Sequence, residues 1–311
     1  DEEELKTDTL EHASPQDLID SGVSTIEQQL IPYRKGDKWG FCNTNKQIII
    51  EPKYDDVGPF SEGFATVKLD GNYGYIDKTG CEVVSIKYDD AESFSEGLAE
   101  VKLDGKYGFI DKTGKEVTPF KYDWVGRFSE GLAAVELDGK YGFIDKTGKE
   151  ITPFKYDWVS RFSEGLAAVE LDGKCGFIDK TGKVVIPFKY GFADSFSDGL
   201  ATVGLYGKFG FIDKTGKEVA PIKYDDTYSF YEGFASVELD GKQGFIDKTG
   251  KEVIPLKYDW ADLFSDGLSV VELDGKWGFI DKTGKEVTPI KYDDGGASSF
   301  SDGLLAVELD G

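Results

Sequence analysis

The chain contains a single histidine, His12, and it lies in the opening segment. Neither a nucleophile–imidazole pair nor a histidine metal cluster can therefore be built in the rest of the chain. Cys42, Cys81 and Cys175 fall at three unrelated positions and give neither a disulfide framework nor metal-ligand spacing. Carboxylates are the abundant reactive group. Asp77, Asp111, Asp145, Asp179, Asp213, Asp247 and Asp281 recur at one fixed spacing. Two carboxylates at a suitable separation make a glycosidase-type pair, and convergent oxygens make a calcium site. However, a carboxylate that returns unchanged in seven of the eight copies lacks the local asymmetry of an active site. In Asp-Lys-Thr-Gly it reads as a turn residue that bonds its own backbone. The sequence is read as non-catalytic, with no cofactor and no metal.

Different chemistry sits at the positions that vary. After a constant Lys-Tyr pair the copies read Asp55-Asp56, Asp89-Asp90, Asp123-Trp124, Asp157-Trp158, Gly191-Phe192, Asp225-Asp226, Asp259-Trp260 and Asp293-Asp294. Arg127, Arg161 and Tyr228 follow nearby. Large aromatics beside guanidinium groups are typical interface anchors. Trp124, Arg127, Trp158, Arg161, Phe192, Tyr228 and Trp260 are the expected partner-binding residues. The competing reading has the tryptophans packed beneath neighbouring loops.

Short strands must position these residues. An aromatic-Gly dipeptide recurs as Trp39-Gly40, Tyr73-Gly74, Tyr107-Gly108, Tyr141-Gly142, Phe209-Gly210 and Trp277-Gly278, with Cys175-Gly176 and Gln243-Gly244 filling the gaps; the glycines are 34 residues apart. Residues 98–131 and 132–165 agree at 30 of 34 positions, so one copy is one structural unit. A helical repeat of this period is rejected, because each copy holds three turn signals and all but one of the copies hold a proline. In the third copy Ala99, Val101 and Leu103 alternate with Glu100, Lys102 and Asp104, the pattern of a half-buried strand. Asp104-Gly105 supplies a hairpin turn, Lys106 to Ile110 a second strand, Asp111 to Gly114 a second turn, and Glu116 to Phe120 a third strand. Residues 121–128 must cross back, as a short fourth strand or an extended loop. A tyrosine column (Tyr54 to Tyr292) and a phenylalanine column (Phe60 to Phe300) fill two constant positions and are read as stacked core.

The strings Lys38-Trp39-Gly40-Phe41, Gly105-Lys106-Tyr107-Gly108-Phe109-Ile110-Asp111-Lys112-Thr113-Gly114 and Phe128-Ser129-Glu130-Gly131-Leu132 resemble the bacterial WG-repeat (KWG-repeat) family over about residues 31–311. The resemblance implies a bacterial source and a β-repeat architecture. A weaker similarity is to the Gly-Lys-Trp-Tyr-Tyr-type hairpins of bacterial cell-wall-binding modules, and it tilts the expected location toward the cell envelope or secretion. The expected fold is all-β: tandem 34-residue meanders stacked as an open twisted superhelix, with a closed β-propeller as the alternative. Residues 1–30 form a separate acidic segment in which Ser14-Pro15 opens a short helix. Residues 31–311 carry eight copies and the first strand of a ninth. A net charge of -23 repels phosphate backbones, so nucleic acid is not an expected partner. No apolar run is long enough to span a bilayer as a helix. A protein partner is expected first, and a polysaccharide or cell-envelope glycan second.

Overall fold

The computed structural model describes residues 29–293, all of them in β-strands, turns and loops. The expected N-terminal helix, the ninth-copy strand and a two-residue insertion that the sequence carries between Tyr292 and Phe300, at Gly295-Gly296, lie outside the described residues. The described residues hold 29 strands in eight small antiparallel sheets, five of four strands and three of three. The chain divides into two compact units, residues 1–87 and 88–311.

The sheet of Trp158–Val159, Leu166–Leu171, Lys174–Asp179 and Val184–Tyr190 shows how one copy is built. The four strands lie side by side in chain order. The central hairpin turns on Asp172-Gly173, with both residues at positive φ (52° and 70°), the geometry that matches strand twist. The next connection is Asp-Lys-Thr-Gly, where Asp179 Oδ1 accepts from the Thr181 amide (2.9 Å), the Thr181 hydroxyl (2.6 Å) and the Lys183 amide (3.1 Å). The Thr hydroxyl, with the backbone donors, holds the Asp179 carboxyl below the ordinary carboxylate range. The return segment resolves into a two-residue strand that begins the next sheet rather than ending its own. Its first residue pairs with the long strand that follows, as Trp158 does with Glu170.

The glycine of the aromatic-Gly pair is dictated by the third strand. Between Cys175 and Phe177 the register slips, so that Cys175 faces Tyr190 while Phe177 faces Ile186. This bulge brings backbone over Gly176, where a Cβ would lie 2.6 Å from the Ile186 carbonyl oxygen. The third strand expected at Glu116 to Phe120 is not continuous. Only the bridges Tyr107–Tyr122 and Ile110–Glu116 remain, and the buried Thr118 hydroxyl accepts the Phe109 amide at 2.9 Å. Thr152 repeats this on Phe143.

The strand Leu98–Leu103 keeps the expected alternation, with Ala99 and Val101 buried and Glu100 and Lys102 half-buried, whereas in the copies that follow both faces of the corresponding strand are covered. Leu132, Ala133, Ala134 and Val135 are all buried. In the second unit Leu132, Ala134, Phe143 and Tyr156 pack against Phe162, Ala167, Val169 and Ile178 of the following sheet. The Phe and Ile of Phe-Ile-Asp-Lys-Thr-Gly thus point in opposite directions, each into a different layer. The first unit has one such layer, Phe41, Ile50 and Tyr54 against Ala65, Val67 and Ile76. Tyr54, Tyr88, Tyr122, Tyr156, Tyr190, Tyr224 and Tyr258 are buried, as are Phe94, Phe128, Phe162, Phe196, Phe230 and Phe264. Each such ring contributes roughly 1.5–3 kcal/mol. Phe60 and Tyr292 are half-buried, and Phe300 lies outside the described residues.

Polar clamps join consecutive sheets of the second unit and explain other constant residues. The Ser129 hydroxyl donates to the Phe162 carbonyl (2.8 Å), and the Glu130 carboxylate takes the Gly165 amide (3.1 Å) and the Lys180 ammonium (2.8 Å). Asp123 accepts the Asp138 amide (2.8 Å) through one oxygen and the Lys106 ammonium through the other.

Candidate functional site

The first residue of each two-residue strand sits at the free edge of its sheet, since that strand has a neighbour on one side only. In the second unit this edge carries Trp124, Trp158, Phe192 and Trp260, exposed by 44, 41, 46 and 40%. These rings are not packed away under loops, although three of them lean on a neighbouring ring. Trp124 meets Tyr141 edge-on at 5.9 Å, Phe192 meets Phe209 at 5.6 Å, and Trp260 meets Tyr228 at 6.4 Å. Tyr228 is half-buried, and burial, with Asp226, Glu238 and Asp262 nearby, pushes its hydroxyl pKa up. Arg127 is exposed and ion-paired to Glu92 at 2.6 Å. Arg161 is exposed on the loop that follows Trp158. The seven expected residues therefore share the edge strands and the loops after them, with the rings in one register.

The register also exposes residues that sequence reasoning missed. Across each sheet runs a row of three: the edge residue, its partner on the first long strand, and the aromatic of the aromatic-Gly pair. Trp124 pairs with Glu136, which pairs with Tyr141. Trp260 pairs with Glu272, which pairs with Trp277. In earlier copies the row reads Asp56–Lys68–Tyr73 and Asp90–Lys102–Tyr107. There the lysine ammonium lies over the tyrosine ring, at 4.8 Å for Lys68 and 4.9 Å for Lys102. In the first sheet Arg34 lies over Trp39 at 5.5 Å. The middle residue thus runs Arg34, Lys68, Lys102, then Glu136, Glu170, Gly204, Glu238, Glu272. The periodic charge change was present in the sequence, but only the register places it between two rings.

The two odd aromatic-Gly pairs also find a role. The Gln243 side-chain oxygen accepts the amide of Ala261, the residue after Trp260, at 2.7 Å. Cys175 accepts the amide of Ala193, the residue after Phe192, and burial raises its thiol pKa. Where the edge residue is Asp56, Asp90 or Asp226, that carboxylate takes the same amide itself, at 2.8–3.0 Å. Replacing Asp by an aromatic removes this acceptor, and at two copies the preceding sheet supplies another.

The chain matches the WG containing repeat eight times, at residues 39–73, 73–107, 107–141, 141–175, 176–209, 209–242, 244–277 and 277–311. It belongs to the WG-repeat family. Each WG match runs from one aromatic-Gly pair toward the next, so it spans the end of one sheet and the hairpin of the following one. No curated protein matches the chain in sequence. Among solved structures, a eukaryotic initiation factor is similar over 84% of each chain at 13% identity and a TM-score of 0.48. Hsv2p of Kluyveromyces lactis is similar over 70% of this chain and 89% of its own, at 11% identity and a TM-score of 0.38. The dihydro-heme d1 dehydrogenase NirN is similar over 86% of this chain and 74% of its own, at 13% identity and a TM-score of 0.38. Likenesses at this level carry no argument about function.

Proposed function

We propose that this WG-repeat chain is a non-catalytic scaffold that binds a protein partner through its return segments. One observation carries the reading: Trp124, Trp158, Phe192 and Trp260 occupy the same edge position in four sheets and leave 40–46% of their surface in water. Large exposed rings in a repeated position suit an extended interface. The test is affinity capture with the full chain from its native cells, followed by titration of the captured protein against wild type and the Trp124→Ala/Trp158→Ala variant. The expected result is at least a tenfold loss of affinity with an unchanged β circular-dichroism spectrum. Equal affinity of the two overturns the return-segment assignment.

A second reading, carbohydrate binding, is favoured by one cleft lined by Phe192, Asp194, Thr202, Phe209, Asp226, Thr227 and Ser229. It combines ring surface with hydroxyls and carboxylates, and the Thr227 hydroxyl is buried there without a hydrogen-bond partner. Sedimentation with peptidoglycan and a glycan array test it; retention on none of these sinks it. The open twisted stack expected from the sequence is part of the proposal. Small-angle X-ray scattering of the full chain gives an elongated particle for it and a compact one for a closed propeller.

A further inference from the structure

We propose that the rows Trp124–Glu136–Tyr141 and Trp260–Glu272–Trp277 each take a lysine or arginine side chain of the partner, so that the partner is a basic segment. The inference rests on the scaffold reading above and names the chemistry of its partner.

The chain holds its own example of the contact. Over Trp39, Tyr73 and Tyr107 the cation is internal, supplied by Arg34, Lys68 and Lys102 from the paired position on the adjacent strand. From the fourth copy onward that position is never basic. Tyr141 and Trp277 stand in the same place in the sheet, but a carboxylate faces them across the strand pair, where directly opposed residues lie about 4.5–5.5 Å apart at Cα. At the same copies the edge residue changes from Asp to Trp. A row of anion, cation and ring thus becomes one of ring, anion and ring. Two ring surfaces and one carboxylate form a receptor for an ammonium or guanidinium group, and among the described residues no lysine or arginine lies over Tyr141 or Trp277 as Lys102 does over Tyr107.

Around the second row the neighbouring side chains carry the same sign, and in the first the nearby Arg127 is paired with Glu92. Glu136 and Glu272 are half-buried, and Trp260 has Tyr228 on its other side, itself among Asp226, Glu238 and Asp262. The net charge of -23 attracts a basic segment from a distance and repels an acidic one.

The test uses the full chain and a fluorescein-labelled peptide carrying four lysines spaced by glycine and serine, read by fluorescence anisotropy. The control peptide is identical except that every lysine is acetylated. Glu136→Lys with Glu272→Lys rebuilds the internal-cation row of Lys102 and Tyr107, so it fills the receptor without unfolding the sheet. Glu218→Lys with Glu286→Lys changes the charge equally at exposed third-strand positions. The expected result is binding of the lysine peptide, at least about tenfold weaker binding of the acetylated one, and about a tenfold loss for Glu136→Lys/Glu272→Lys against less than about threefold for Glu218→Lys/Glu286→Lys. Failure of the lysine peptide to bind, or equal losses in the two double variants, overturns the proposal. A captured partner that needs Trp124 and Trp158 but ignores Glu136→Lys/Glu272→Lys overturns it too, while leaving the scaffold reading intact. Lysine-specific binding at these rows, with no protein that depends on Trp124 and Trp158, does the reverse.

Discussion

Tyr258 is fully buried, and its hydroxyl has no hydrogen-bond partner among the described residues. Its ring fills the layer with Phe245, Ile254 and Phe264. Tyr258→Phe keeps the packing and removes an unsatisfied polar group, so chemical denaturation is expected to show a gain of about 1 kcal/mol. Tyr258→Ala leaves a cavity and costs about 3–5 kcal/mol in the same assay. Glu100 is the opposite kind of misfit. It occupies the place of Ala134 and Ala168, and burial, reinforced by Glu92 and Asp90 and opposed by Arg127, pushes its carboxyl pKa up to about 7. A carboxyl raised on folding favours the native state least when charged. Stability is therefore highest below the ordinary glutamate range and is lost as pH rises through about 7. Glu100→Ala is expected to raise the melting temperature more at pH 8 than at pH 5; equal shifts at both would discard this account. The columns of Tyr and Phe were legible in the sequence because packing repeats. Glu100 reads in the sequence as part of a solvated face because it alternates with Ala99 and Val101, and only the packing of the layer beside it shows its carboxyl held by burial.

At the level of the strand and turn, most of each copy could be read directly. Asp-Gly and Asp-Lys-Thr-Gly announced their turns, and the positive φ values and the Asp179 bonds follow from those residue types. Two features escaped. The third-strand bulge is set by backbone crossing a glycine, and a glycine in a strand signals close approach without saying what approaches. The two-sided burial was masked by Glu and Lys near the strand ends, which mimic a solvated face. The bulge makes a sharp prediction at Gly244, where a Cβ would lie 2.6 Å from the Ile254 carbonyl oxygen. Gly244→Ala is expected to lower stability by about 2–3 kcal/mol in urea titration. A neutral result would mean that the third strand sits further away.

For the whole molecule, each layer of the second unit repeats the same pairing of faces, so a complete copy is removable in register. Joining Gly131 to Leu166 by deleting residues 132–165 lets Trp124 meet Glu170, as Trp158 does now. The shortened chain is expected to keep its β circular-dichroism signature, with a denaturant m-value lower by about a tenth. Loss of cooperative unfolding would show that the copies are not interchangeable. The edge aromatics could be named from sequence because they vary, whereas the row that joins them to Glu136 and Glu272 needed strand register. One copy stands apart. Gly191 replaces an aspartate that in other copies, as at Asp55, Asp123, Asp157, Asp225 and Asp259, tethers both a hairpin amide and a lysine, and the turn below it carries Tyr206 at φ 52° and 99% exposure. A bulky residue in that conformation is strained. The hairpin has lost its anchor and presents a bare aromatic bond to solvent, so chymotrypsin should nick the native chain after Tyr206 before any other aromatic site among the described residues, cutting it into two pieces at that turn.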